Sequence, residues 1–155
     1  MPILALALAL AAPGDLPPGS ERAFGDWAVT CDNVKRCEAV AVSDAPRGSD
    51  TASDARIARE PGPAGGVTID LWPAATSEGV ITILIDGRQV GSGFVRKESL
   101  QLTGNAAEGL VRAMATGNVL TLRAGRKTLA SYSLKGSAAT LRYIDSEQGR
   151  ARPAP

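Results

Sequence analysis

Two cysteines lie six positions apart in a stretch, Phe24 to Val42, whose residues alternate in character along the chain. Side chains of a strand point to its two faces in turn, so Trp27, Val29 and Cys31 share one face and Asp26, Ala28 and Thr30 the other. Pairing Cys31 with Cys37 in an antiparallel hairpin sets Val29 opposite Ala39 and Trp27 opposite Ala41, so that large residues meet small ones. The connecting Asp32-Asn33-Val34-Lys35-Arg36 is polar but for one valine, and Asp and Asn tolerate turn dihedrals. Directly opposed residues are close enough to bridge. A disulfide closing so short a loop contributes roughly 2 to 2.5 kcal/mol on the chain-entropy account, so it fixes register more than it adds bulk stability. The spacing is C-x5-C, not the C-x-x-C of redox motifs, which makes the pair structural.

The remaining chain reads as short strands followed by two helices. Ala55–Glu60 is a strand stopped by Pro61-Gly62-Pro63, and Gly66–Trp72 is another, stopped by Pro73. Val80–Ile85 is almost continuously apolar and reads as a central strand buried on both faces. Asp86-Gly87 follows as a hairpin turn, and the returning Arg88–Val95 is broken by Gly91-Ser92-Gly93, where a bulge or irregular edge is expected. Glu98–Leu102 adds a short strand. Asn105-Ala106-Ala107-Glu108 has the pattern of a capping box, and Ala107, Leu110, Val111 and Met114 share the face of a helix over about 106–116. Val119–Arg123 and Thr128–Leu134 form a hairpin. Gly136-Ser137 then caps a second helix that ends at Gly149. The expected fold is mainly β (α+β), an antiparallel β-sandwich or curved sheet, with two short helices near the C-terminal end covering one end or edge.

The length suits one domain. Residues 1–12 are an apolar Leu/Ala run carrying a possible A-x-A cleavage site at Ala9–Ala11, the pattern of a signal-peptide leader, although no Lys or Arg precedes it. The run is too short to span a bilayer as a helix. Residues 13–20 form a Pro/Gly linker, 21–149 a single β-rich domain and 150–155 a tail; within the domain, 43–54 is a polar, mobile loop. Leader and cysteine pair together point to export into an oxidising compartment, periplasmic or secreted. The net charge of +1, with no long basic run, argues against nucleic acid and against electrostatic attraction to anionic lipid. Histidine is absent, which removes the commonest general base and zinc ligand; no metal-loop motif and no cofactor motif is found.

Taken together, F-G-D-W-A-V-T-C-D-N, R-C-E-A, I-D-G, L-V-R-A-M-A-T-G-N and S-L-K-G-S-A-A-T-L-R-Y-I-D-S-E-Q-G-R resemble an uncharacterised bacterial periplasmic family, domain of unknown function 1176. F-G-D-W…C…C, I-D-G and S-L-K-G also resemble the invasion-associated locus B family, whose members are exported and linked in some pathogens to host-cell entry. The resemblance covers about Phe24–Arg150, and its most specific part is I-D-S-E-Q-G-R. It implies an envelope or host protein as partner. It supplies no catalytic residue, and members of the first family continue into a second half with further cysteines.

The candidate residues divide into structural and surface sets. Trp27, Asp86, Gly87 and Gly136 are expected to be structural: core, turn, turn and helix cap. Trp72 at a strand end, with Asp145 and Arg150 on the closing segment, makes a candidate binding surface. Catalysis would need two of Asp26, Asp86, Asp145 and Glu147, or Ser133 with Lys135, to converge in a cleft. A small-ligand site would need a cavity lined by the Ile81, Ile83 and Ile85 face. The residues favour a non-enzymatic exported domain that binds another macromolecule, with a periplasmic small-ligand binder and a carboxylate- or Ser-Lys-based hydrolase as alternatives.

Overall fold

The computed structural model describes residue 19 and residues 21–41, 54–73, 79–96 and 98–150. The leader, most of the linker, the loop before Asp54 and the tail beyond Arg150 lie outside the described residues. The elements in chain order are β1 (Arg22–Phe24), β2 (Trp27–Cys31), β3 (Cys37–Ala41), β4 (Asp54–Arg59), β5 (Val67–Trp72), β6 (Gly79–Ile85), β7 (Arg88–Val95), β8 (Leu100–Thr103), α1 (Gly104–Met114), β9 (Val119–Ala124), β10 (Lys127–Ser133) and α2 (Ser137–Glu147). They build two antiparallel sheets, one of six strands in the order β1-β2-β3-β4-β5-β8 and one of four in the order β10-β9-β6-β7.

The first hairpin has the register that its alternation dictates: Cys31 faces Cys37, Val29 faces Ala39 and Trp27 faces Ala41. The cysteines are bonded, their Cα atoms 4.1 Å apart. Sequence reasoning missed β1, a three-residue strand that folds back on β2 through Gly25 and Asp26, with Gly25 at φ 59°. Three residues are too few to show a period.

One hydrophobic core joins the inner faces of both sheets. The six-stranded sheet contributes Trp27, Ile57, Ile69 and Leu71; the four-stranded sheet contributes Ile81, Ile83, Leu120 and Leu122. α1 packs its buried stripe, Ala107, Leu110, Val111 and Met114, near β5, β7 and β8, while α2 packs against β1 and β2. The helices therefore cover opposite edges of the six-stranded sheet rather than one.

Two local expectations are corrected. β6 is central, but its outer face is only partly buried: Val80 is 69% exposed and Thr82 half-buried, because no layer lies over that face among the described residues. α1 does not start with an Asn105 capping box. It starts at Gly104, whose φ of 58° turns the chain sharply out of β8, with extended Thr103 as the cap and no side-chain cap bond. Glu108, the expected reciprocal partner, instead pairs with Arg59 at 3.5 Å.

Candidate functional site

The motif residues come together in one region, where the β1–β2 turn, the β6–β7 turn, the α1–β9 connection and the β10–α2 connection meet. Phe24-Gly25-Asp26-Trp27 packs directly on Ser133-Leu134-Lys135-Gly136. The Trp27 indole donates to the Ser133 carbonyl at 3.0 Å. The Asp26 backbone N–H donates to the Lys135 carbonyl at 2.9 Å. Gly25 and Gly136 lie where a Cβ would collide with the Lys135 and Phe24 carbonyls respectively, and Gly136 has φ 93°. Only glycine combines that close approach with that backbone.

The Ser133 hydroxyl donates to Asp26 Oδ2 at 2.6 Å and accepts the Lys135 backbone N–H at 3.2 Å. The contact between Ser133 and Lys135 thus runs through the lysine's main chain. Asp86, at φ 50° in the turn with Gly87, accepts the Val119 N–H at 3.0 Å and the Asn118 N–H at 3.1 Å. The Val119 N–H, followed by the Asn118 donors, holds its carboxyl below the ordinary value. Asn118 then accepts from Leu134 N–H at 2.9 Å, which links this turn to the first cluster.

The candidate surface residues do not form one surface. Asp145 and Arg150 lie together at the end of α2, and their polar groups are occupied by the fold. Asp145 pairs with Arg59 at 2.8 Å. Arg150 donates to the carbonyls of Gly65 at 2.9 Å and Glu60 at 3.1 Å, and Gln148 donates to the carbonyls of Lys35 and Arg59. Burial, and then the nearby Arg59 charge, lower the Arg150 pKa. Glu147 is paired as well, with Lys35 at 3.5 Å.

Trp72 sits at the other end of β4–β5, opposite Asp54, on the outer face of the six-stranded sheet. There Arg56 lies over its ring at 5.8 Å and binds buried Asp70 at 2.6 Å, while Gln101 donates to the other Asp70 oxygen. Sequence reasoning missed this Asp70 network, whose only signal was an acid alternating with Ile69 and Leu71 in β5. Ile81, Ile83 and Ile85 pack into the shared core. Among the described residues, no group of three or more His, Cys, Asp or Glu side chains is placed to hold a metal ion. No helix among them is long and apolar enough to cross a membrane.

The outer face of the four-stranded sheet is different in character. It displays Val80, Phe94, Val90 and Val119, all exposed. Its four strands contain Arg88, Arg123 and Lys127 and no acidic residue. By register only Arg123 of these, opposite Thr82, lies on the outer face, since Arg88 is opposite Ile85 and Lys127 opposite Ala124 on the core side. The face is therefore apolar and mostly uncharged, whereas the six-stranded sheet mixes Glu38, Asp54 and Asp70 with Arg22, Arg56 and Arg59. Exposed apolar groups gathered on one face are a recognised property of interaction surfaces.

Comparison with known proteins agrees with the architecture. The family model described as "Protein of unknown function (DUF1176)" matches residues 21–153. No curated protein matches the sequence. Among solved structures, invasion associated protein B from Bartonella henselae superposes with a TM-score of 0.61 at 14% identity, covering 84% of this chain and 99% of that one. At that identity the likeness is one of fold.

Proposed function

The chain belongs to the DUF1176 family, and from that membership we propose that it is an exported, non-enzymatic domain that binds another macromolecule in the periplasm or outside the cell. The observation that carries the reading is a division of labour. The Asp, Ser, Lys and Gly residues of its motifs are engaged in holding turns and helix ends together, while the outer face of the four-stranded sheet exposes apolar side chains and is uncovered among the described residues. The Cys31–Cys37 bridge suits an oxidising compartment. The apolar run at 1–12 suits an export signal. The fold shared with a protein whose name associates it with invasion is compatible with a role at the cell envelope or a host surface.

The test is mass spectrometry of the protein expressed from its native gene and fractionated into cytoplasm, periplasm and medium, followed by cross-linking in the compartment where it is found. The expected species is periplasmic or secreted, begins near Ala12, and is lighter than the reduced chain by two hydrogens. An uncleaved cytoplasmic species with free thiols overturns the export reading. A species that cross-links to nothing in its own compartment overturns the binding reading.

A further inference from the structure

We infer that the Cys31–Cys37 bridge is a redox latch for α2. Formed, it seats the last turn of that helix on the β2–β3 turn and on β4; reduced, it lets that turn go. The coupling lies beyond the binding reading and holds whatever partner the domain takes. The bridge closes residues 32–36 into a short ring. Inside it Lys35 is held at φ 67°, a left-handed backbone that is costly for a residue with a β-carbon. The Lys35 N–H donates to the Asp32 carbonyl at 3.1 Å, and Asp32 Oδ1 accepts the Val34 and Arg36 N–H groups at 3.0 and 2.9 Å. In this shape the Lys35 carbonyl accepts from Gln148 Nε2 at 2.8 Å, and the Lys35 ammonium pairs with Glu147 at 3.5 Å. All the turn residues are exposed, so packing does not hold the shape. It rests on the Asp32 bonds and on the covalent ring.

The dependence runs both ways. Arg59 stands opposite Cys37 in the β3–β4 ladder. Asp145 binds the Arg59 guanidinium at 2.8 Å, and Gln148 donates to the Arg59 carbonyl at 3.0 Å. The end of α2 therefore lies beside the rung that carries the bridge, where both cysteines are buried. A dithiol reaches neither sulfur until the structure opens, and lifting one helical turn is a smaller opening than unfolding the sheets. The attacking thiolate then bonds to one cysteine sulfur and expels the other as thiolate. The second thiol of the reductant displaces the first cysteine, so that two electrons and two protons end on Cys31 and Cys37 and the dithiol becomes a disulfide. Linkage is reciprocal: what the bridge adds to the seating of α2, that seating adds to the stability of the bridge against reduction.

The test follows reduction of the folded, disulfide-bonded protein by dithiothreitol, with thiols counted by alkylation and mass. Gln148→Ala should be reduced about five- to tenfold faster than wild type. Asp86→Ala, which loosens the motif cluster at the Trp27 end of β2, should be reduced at the wild-type rate. In a C31S/C37S background, the shift in denaturation midpoint caused by Gln148→Ala should fall to about half or less of its value in the bonded protein. Hydrogen exchange of C31S/C37S needs no Gln148 variant. The amides of Gln148, Gly149 and Arg150, which donate to the carbonyls of Ile144, Ser146 and Asp145, should exchange about tenfold faster than in the bonded protein, while Ala115 and Thr116 at the end of α1 keep their rates. Equal acceleration of reduction by Asp86→Ala and Gln148→Ala overturns the latch, because the bridge is then reached by global unfolding. Additive effects in the double-mutant comparison, or unchanged exchange at 148–150, overturn it too. So does a C31S/C37S chain that fails to fold, since the effect is then not confined to one helix end. A cytoplasmic species with free thiols in the cell would overturn the export reading and leave these outcomes untouched.

Discussion

Tyr132 carries a phenol from β10 into the core, where it is 3% exposed and its hydroxyl has no hydrogen-bond partner among the described residues. Burial first, and then the Asp54 charge, push its pKa up. Because the folded chain favours the neutral phenol, this group is silent below the unfolded value of about 10 and destabilises the fold increasingly as pH rises above it. Tyr132→Phe should therefore be neutral or stabilising by up to about 1 kcal/mol at pH 7. Its advantage should widen in urea unfolding repeated at pH 11. Asp86 shows a residue whose local role was legible and whose distant one was not. Asp-Gly between apolar runs announces a turn, but acceptance of N–H groups 32 and 33 positions away has no local signal. Asp86→Ala should lower the melting temperature more than Asp86→Asn, since Asn tolerates the left-handed backbone and keeps one acceptor. The stability that Asp86 contributes is present above the unfolded carboxyl pKa of about 4 and is lost as pH falls through its depressed folded value, so the gap between wild type and D86A should close in acid.

At the scale of elements, alternation located the strands because each has a packed inner face, and it set the β2–β3 register because a one-residue slip would turn Trp27 and both cysteines outward. The disulfide adds to a hairpin whose faces already agree. C31A/C37A should fold, with roughly 2 to 2.5 kcal/mol less stability in denaturant titration; a chain that fails to fold would show that the packed faces do not suffice. The failures have equally specific causes. The Val80–Ile85 run looked buried on both sides because an apolar run cannot report whether a second layer exists over it. The Asn105–Glu108 pattern lost to a long-range ion pair from Glu108 to Arg59 and to a left-handed glycine that starts the helix earlier.

At the scale of the molecule, the sequence indicates a β-rich domain with late helices. It does not indicate which strands form each sheet, nor that its separate motifs converge, since those depend on contacts far apart along the chain. The closing Asp145–Arg150 segment exemplifies this: it fastens α2 to residues near β3 and β4. Arg150 makes charged hydrogen bonds to carbonyls there. Arg150→Ala should cost about 1–3 kcal/mol and speed hydrogen exchange at the end of α2 before it does so in the sheets. The meeting of Gly25 with Gly136 and of Trp27 with Ser133 has a kinetic consequence. The first hairpin is completed by a carbonyl 106 positions further on, a contact of high order that forms slowly. While the chain is being synthesised, its early strands lack this closing partner until residues 133–136 emerge. During that interval the first hairpin is held only by its own ladder and the Cys31–Cys37 bridge, so the early part of the chain stays open longest to proteolysis.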